Sequence, residues 1–222
     1  MISRLKKPYT VIDIGGGSGG LLDAFSKDAS CFLIDFDKVL LEHARNRGIS
    51  TVEGGIDQLS NIGIKPDLVI LSDVLEHIVD LDEKLTNLKK CLKVGSLLYI
   101  RLPGIDSLTV GRRKHDFLGD IFRAHVYYFS LDVLNNLMSR YGFRCLKSST
   151  LITAVYEYTG EIGKLVNYHD MVCSLIKNAE IKRKMGFTHI RKLGGKILPR
   201  SLVNRLKDLF NQNYLKTYTK GV

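Results

Sequence analysis

Apolar residues in this chain fall into short continuous runs separated by amphipathic stretches. Residues 9–14, 31–35, 67–71 and 97–102 are such runs, and Ile49 to Glu53 gives a further short strand. Runs this short that are apolar at successive positions predict strands buried on both faces, as in a parallel sheet covered by helices. Between them, residues 21–25 restart with helical spacing, residues 39–44 are amphipathic, and apolar residues recur helically from Leu85 to Leu92. Asp37 and Ser130 stand where side-chain oxygens cap helices, and Gly142 ends the second of these. Residues 143–145 and 151–158 then read as a closing antiparallel pair. The pattern predicts one α/β domain over residues 1–160. From Glu161 the period becomes helical throughout. Ile162, Leu165, Val166, Val172, Leu175, Ile176 and Ala179 share one face, and Leu202, Val203, Leu206, Leu209 and Phe210 share another after Pro199.

The first run breaks into Gly15, Gly16, Gly17, Ser18, Gly19 and Gly20. A strand, a glycine-rich turn and a helical restart form a nucleotide-binding corner, because glycines let the backbone turn sharply and approach a ligand. The spacing alone satisfies both GxGxG and the dinucleotide fingerprint GxGxxG. Asp13, two residues before the first glycine, helps to separate them. Its carboxylate repels a pyrophosphate but suits a ligand carrying an ammonium and a sulfonium. Asp35, at the end of the second run, is placed to accept the hydroxyl protons of a ribose; Asp35 or Asp37 can cap the following helix, and both roles hold at once with Asp35 on the ligand and Asp37 on the cap.

Asp13 to Gly19 matches the (D/E)xGxGxG motif, and the chain resembles the class I S-adenosylmethionine-dependent methyltransferases. Pro66-Asp67-Leu68-Val69, Val74-Leu75-Glu76-His77 and Leu92-Lys93-Val94-Gly95 onward to Ile100 extend the likeness to a VLEH-containing group that includes ubiquinone-pathway O-methyltransferases. The resemblance covers about residues 9–158. It implies a Rossmann-like sheet of seven strands, mostly parallel with one antiparallel, and S-adenosylmethionine as cofactor. It implies a cofactor site of Asp13, Gly15, Gly16, Gly17, Gly19, Asp35, Phe36 and Ser72. Where relatives read GDAxxL, this chain has Gly55 in place of the Asp, so Asp57 or the Ile56 backbone is expected to serve instead.

Methyl transfer to a hydroxyl needs alignment and a base. His77, after the fourth strand, and His125 are the candidate bases, since neutral imidazole accepts a proton near pH 7. Arg112, Arg113 and Arg123, in a long stretch over residues 105–129 expected to form a lid, are candidate clamps for an anionic acceptor. Asp73, Glu76 and His77 fall at i, i+3 and i+4, a spacing that on a helical turn brings all three together around a divalent metal. The reading without a metal is preferred.

Composition adds four bounds. The hydrophobic and charged fractions, 45% and 25%, are those of an ordinary globular protein. Four scattered cysteines without a CxxC predict reduced, buried thiols. No apolar run reaches spanning length and no signal core follows the first residues, which predicts a cytoplasmic protein. Residues 161–222 hold 13 Lys/Arg against 4 Asp/Glu, so nearly all of the net +10 belongs to the tail. A basic amphipathic tail of this kind suits peripheral contact with an anionic membrane, or RNA. The expectation is therefore O-methylation of a small-molecule, sugar or lipid-linked acceptor. Its rivals are an RNA-modifying methyltransferase and a non-catalytic cofactor-binding partner protein. Methylation of nucleobase amino groups is disfavoured, because no aromatic follows the fourth strand to stack on a base.

Overall fold

The structure is a computed structural model and describes residues 7–110 and 117–185. Seven strands form one sheet: β1 (Tyr9–Ile14), β2 (Ala29–Asp35), β3 (Ser50–Glu53), β4 (Leu68–Ser72), β5 (Leu97–Arg101), β6 (Phe143–Ser149) and β7 (Thr153–Tyr158). Their order is β3-β2-β1-β4-β5-β7-β6. The pairs from β3 to β5 are parallel, whereas β7 runs antiparallel to both β5 and β6. The expected seven-stranded, mostly parallel sheet with one antiparallel strand is the sheet observed.

Alternation along β1 divides the core into two layers. Ile12 and Ile14 face one layer with Val69 and Leu71 of β4, and α2 (Leu81–Lys90) and α5 (Leu131–Arg140) cover it through Leu85, Leu88, Leu134 and Met138. Val11 faces the other with Leu33, Leu68 and Ile70, covered by Leu41 and Ala44 of α1 (Lys38–Arg45). Each large aliphatic side chain fully buried here contributes about 1.5–3 kcal/mol. Asp37 starts α1 by accepting from the N–H groups of Val39 and Leu40, and Ser130 starts α5 by accepting from Val133. α1 lies on one face of the sheet and α2 on the other, so the connections diverge between β1 and β4. Ligands enter an open α/β sheet at the carboxyl edge of such a switch point.

Three expectations are corrected. The helix after the glycines is a single 3-10 turn, Gly20–Ala24. Leu22 and Phe25 already reach the core, and the N–H groups of Asp28 and Ala29 close back on the Phe25 carbonyl, so β2 begins without a longer helix. The tail helix starts at His169, as α6 (His169–Met185), not at Glu161. The preceding N–H groups of Gly163 and Val166 are taken by the Ser139 carbonyl and the Asn136 side chain of α5, which leaves Ile162, Leu165 and Val166 exposed on irregular chain. The cysteines are free as expected, but half-buried rather than buried. α3 (Ser107–Val110) and α4 (Phe117–Asp120) are short helices within the expected lid. No described helix is long and apolar enough to cross a membrane. The apolar stripe from Leu202 to Phe210, with its flanking basic residues, lies outside the described residues.

Candidate active site

The chain leaves β1 through Gly15, Gly17 and Gly19, all in the left-handed region, with φ of +71°, +60° and +79°. At Gly15 the requirement is also steric, because a Cβ there would lie 2.7 Å from Cγ2 of Val74. A Cβ on Gly16 would lie 2.2 Å from the Asp13 carboxylate. The turn therefore folds down onto Asp13. Asp35 holds it from the other side: one carboxylate oxygen accepts the Gly17 N–H at 2.8 Å and the other accepts the Asp37 N–H at 2.9 Å. A carboxylate has about four lone-pair sites, so two remain for hydroxyl donors. Asp37 caps α1, and Asp35 does not.

Asp13 has the parity of Val11 and is fully buried in the apolar layer, and neither carboxylate oxygen has a hydrogen-bond partner. Burial, and secondarily the charge of Asp35, push its pKa up from 3.8 to about 7. A buried unpartnered acid beneath a glycine turn fits a ligand that brings positive charge.

Phe36, at the mouth beyond β2, is 76% exposed. Its ring lies over Gly55, where a Cβ would come within 3.0 Å of it. Asp57 is turned to α2, with its carboxylate 2.8 Å from the Lys84 ammonium, so its expected turn toward a ligand is not observed. Ile56 is buried. Ser72 is half-buried, and its hydroxyl lies 3.3 Å from the Asp73 carboxylate.

Beyond β4 the chain opens a cavity of about 440 Å³, lined by Asp73, Glu76, His77, Arg101, His125 and Thr153 among others. Asp73 sits at φ +57°, its N–H donating to the Arg101 carbonyl and its carboxylate paired with the Arg101 guanidinium. A 3-10 turn, Leu75–His77, follows. The carbonyl of Glu76 accepts the N–H groups of Val126 and Tyr127, which brings residues 122–129 back over the turn. Nδ1 of His77 lies 3.0 Å from the Ala124 carbonyl oxygen. A carbonyl only accepts, so the His77 proton resides on Nδ1 and the Nε2 lone pair is free. His125 packs edge-on against His77, with ring centroids 4.8 Å apart. Its Nδ1 is buried without a partner, and burial, then the neighbouring His77, lowers its pKa.

The side chain of Glu76 is buried with both carboxylate oxygens unpartnered, and burial raises its pKa. Glu76, His77 and His125 each offer a ligand atom within 4.8 Å of the others. This corrects the expected trio of Asp73, Glu76 and His77. The helical spacing fails because the turn starts at Leu75, leaving Asp73 in the left-handed region and paired with Arg101. Arg123 is exposed and does not line the cavity, and Arg112 and Arg113 lie outside the described residues. Arg101 is the basic residue in the cavity, and sequence reasoning missed it. The signal was present, since Arg101 ends an apolar strand as Asp35 does and pairs in register with Ser72.

The sequence matches a family profile described as a methyltransferase domain over residues 1–148. No curated protein sequence is significantly similar to the chain. Among solved structures, a Thermotoga maritima S-adenosylmethionine-dependent methyltransferase superposes with a TM-score of 0.54 at 18% identity, over 72% of this chain and 86% of that one. One from Methanosarcina mazei gives 0.52 at 20%, over 72% and 96%. An O-methyltransferase of neocarzinostatin biosynthesis, solved with S-adenosylmethionine and 2-hydroxy-5-methyl naphthoic acid, gives 0.52 at 20%, over 71% and 51%. At these identities the likeness is one of fold.

Proposed function

The chain belongs to the methyltransferase-domain family, and from that premise we propose that this S-adenosylmethionine-dependent enzyme methylates a hydroxyl of a small acceptor seated against His77 and His125. When bound, S-adenosylmethionine supplies an electrophilic methyl group on a good leaving group. Asp35, with two lone-pair sites left, holds the ribose, and the buried Asp13 carboxylate offsets the cofactor's positive charge. The reading rests above all on His77. Its Nδ1 hydrogen bond to Ala124 fixes the ring and directs the proton-accepting Nε2 lone pair. As its oxygen took the methyl group that bound S-adenosylmethionine would supply, the acceptor hydroxyl would pass its proton to His77 Nε2. Burial, then the neighbouring His77, lowers the His125 pKa, which disfavours a second positive charge beside the imidazolium that would form. The Arg101 guanidinium is paired with Asp73, so an anionic group on the acceptor would share it with that carboxylate. The hydroxy-acid ligand of the neocarzinostatin enzyme is chemistry of this kind. Sugar and lipid-linked hydroxyls fall within the same reading.

A second reading is favoured by one observation, the unpartnered carboxylate of Glu76 beside two imidazoles. A divalent cation held by Glu76, His77 and His125 would instead lower the pKa of the acceptor hydroxyl. One experiment separates the readings. Transfer of labelled methyl from S-adenosylmethionine to a panel of phenols, hydroxy acids and sugars is measured with the protein treated with EDTA, with Mg²⁺ or Zn²⁺ restored, and with His77→Gln. Turnover that survives EDTA but not His77→Gln supports base catalysis, and turnover restored only by metal supports the second reading. Binding of S-adenosylhomocysteine without turnover on any acceptor points to a non-catalytic partner. Turnover confined to RNA overturns the small-acceptor assignment.

A further inference from the structure

A second cavity of about 200 Å³ adjoins the first, sharing Pro103 and Leu151 with it. Its other walls include Ile105, Leu108, Phe117 and Tyr128. The chemistry changes sharply across the shared pair. On one side stand two imidazoles, two carboxylates and a guanidinium, whereas beyond Pro103 and Leu151 the walls are aliphatic and aromatic but for Gly104 and Ser107. The Tyr128 hydroxyl is already committed, accepting the Phe122 N–H at 2.5 Å and lying 3.2 Å from the Phe122 carbonyl. Its ring therefore presents carbon to the cavity.

The compartment is braced. The Ile105 N–H donates to the Phe129 carbonyl, and Gly104 bridges Phe129 in a short parallel ladder. Behind the lining, Ile105 and Leu108 form a small core with Ala179 of α6, and Val172 and Leu175 of the same helix pack on it. Leu151, at the junction, is 53% exposed although strongly apolar. An apolar wall of this kind is poorly solvated, and burying carbon against it is favourable.

We propose that the acceptor is amphiphilic: its hydroxyl-bearing head occupies the polar cavity, and an apolar substituent passes between Pro103 and Leu151 into the adjoining compartment. This rests on the methyl-transfer reading above for the identity of the head. The volume limits the substituent. An apolar cavity of about 150 Å³ takes up benzene, so about 200 Å³ admits one aromatic ring or a chain of roughly six to eight carbons. The part of α6 that packs here thereby acts as a specificity element, supporting the compartment from behind.

The test uses the full chain with saturating S-adenosylhomocysteine and calorimetric titration of phenol, 4-ethyl-, 4-butyl-, 4-hexyl- and 4-octylphenol. Affinity is expected to rise about three- to fourfold per methylene, the equivalent of burying a CH₂, and to level off near the hexyl member. Ser107→Phe, which fills the compartment, should flatten the series, and Phe117→Ala, which enlarges it, should move the plateau to longer chains. Affinity independent of chain length in the wild type overturns the proposal. So does an unaltered series in both variants. The titration with S-adenosylhomocysteine reports on the cofactor corner separately. Chain-length dependence without methyl transfer to any member of the phenol, hydroxy-acid and sugar panel would refute the O-methylation reading and leave the compartment standing.

Discussion

Replacing Asp13 with asparagine should stabilise the ligand-free protein at neutral pH, although it alters a residue of the cofactor corner. In the folded chain the Asp13 carboxyl is pushed up from 3.8 to about 7. Its charged form is therefore disfavoured by folding. The sign follows from linkage. Below about pH 4 the acid is protonated in both states and imposes no penalty. As pH rises from about 4 to 7 the unfolded chain releases the proton while the folded chain retains it, so stability falls, and above about pH 7 the loss is constant. Three pH units at 1.36 kcal/mol each set a ceiling of about 4 kcal/mol.

Between pH 5 and pH 8 the part of that loss still to accrue is about 2–3 kcal/mol. Asparagine removes the titration but leaves an amide with few partners, at a pH-independent cost of about 1–3 kcal/mol. The informative quantity is thus the change in variant-minus-wild-type stability with pH. Urea unfolding of both proteins at pH 5, 6, 7 and 8 measures it, and the comparison cancels other shifted groups such as Glu76 and His125. The difference should move in favour of Asp13→Asn by about 2–3 kcal/mol from pH 5 to pH 8. Parallel profiles would refute the argument that Asp13 is desolvated and unpartnered. The same substitution should weaken S-adenosylmethionine binding at pH 8, because the compensating negative charge is gone.

Three further substitutions probe the corner and the cavity. Asp35→Ala should weaken S-adenosylhomocysteine binding by about 1.5–3 kcal/mol, the range for hydrogen bonds to charged groups, and unchanged affinity by calorimetry would remove the ribose assignment. Gly15→Ala forces a side chain into left-handed backbone against Val74, and should lower stability by about 1–3 kcal/mol. Adding Val74→Ala should relieve the clash but not the backbone strain, and full recovery in the double mutant would show that φ matters little there. His77→Gln should reduce turnover by roughly 10²- to 10⁴-fold while S-adenosylhomocysteine affinity stays within about twofold. Equal losses in both would make His77 a structural residue.

How legible the fold was in the sequence depended on the kind of interaction involved. β1, β4 and β5 are apolar runs buried almost throughout, and burial of that kind leaves few alternative readings, whereas β3, at the sheet edge, is Ser-Thr-Val-Glu with no fully buried residue. Asp37 and Ser130 were legible as caps because capping is local, requiring only a short polar side chain before an amphipathic stretch. The 3-10 turn after the glycines was not legible. Residues 21–25 have helical spacing, but Leu22 and Phe25 satisfy the core within one turn, and only the tertiary distance to β2 decides that the helix stops. The delayed start of α6 has the same origin, since the N–H groups of Gly163 and Val166 find partners on α5, a partnership no local pattern encodes.

At the candidate site the contrast between Asp73 and His125 shows why spacing misleads. Sequence spacing put Asp73 with Glu76 and His77 because it assumed an α-helical turn. The backbone at Asp73 instead enters the left-handed region, uncommon for a residue other than glycine. Such strain persists only where surroundings over-determine it, and here they do. The Asp73 N–H is held by the Arg101 carbonyl and its carboxylate by the Arg101 guanidinium, both from the neighbouring strand. With Asp73 drawn toward β5, the place beside Glu76 and His77 falls to His125, nearly fifty residues later in the chain and carried there by the backbone bonds from Val126 and Tyr127 to Glu76. The unpartnered Glu76 carboxylate thus owes its surroundings to long-range pairing. It resembles Asp13 in being a buried acid toward the carboxyl edge of the sheet, Asp13 in the last residues of β1 and Glu76 in the turn beyond β4. Both are desolvated without a partner, so the ligand-free chain carries an electrostatic penalty at neutral pH at the switch point. A cation bound at either position gains what desolvation has withheld from the acid, and binding there stabilises the folded chain by linkage.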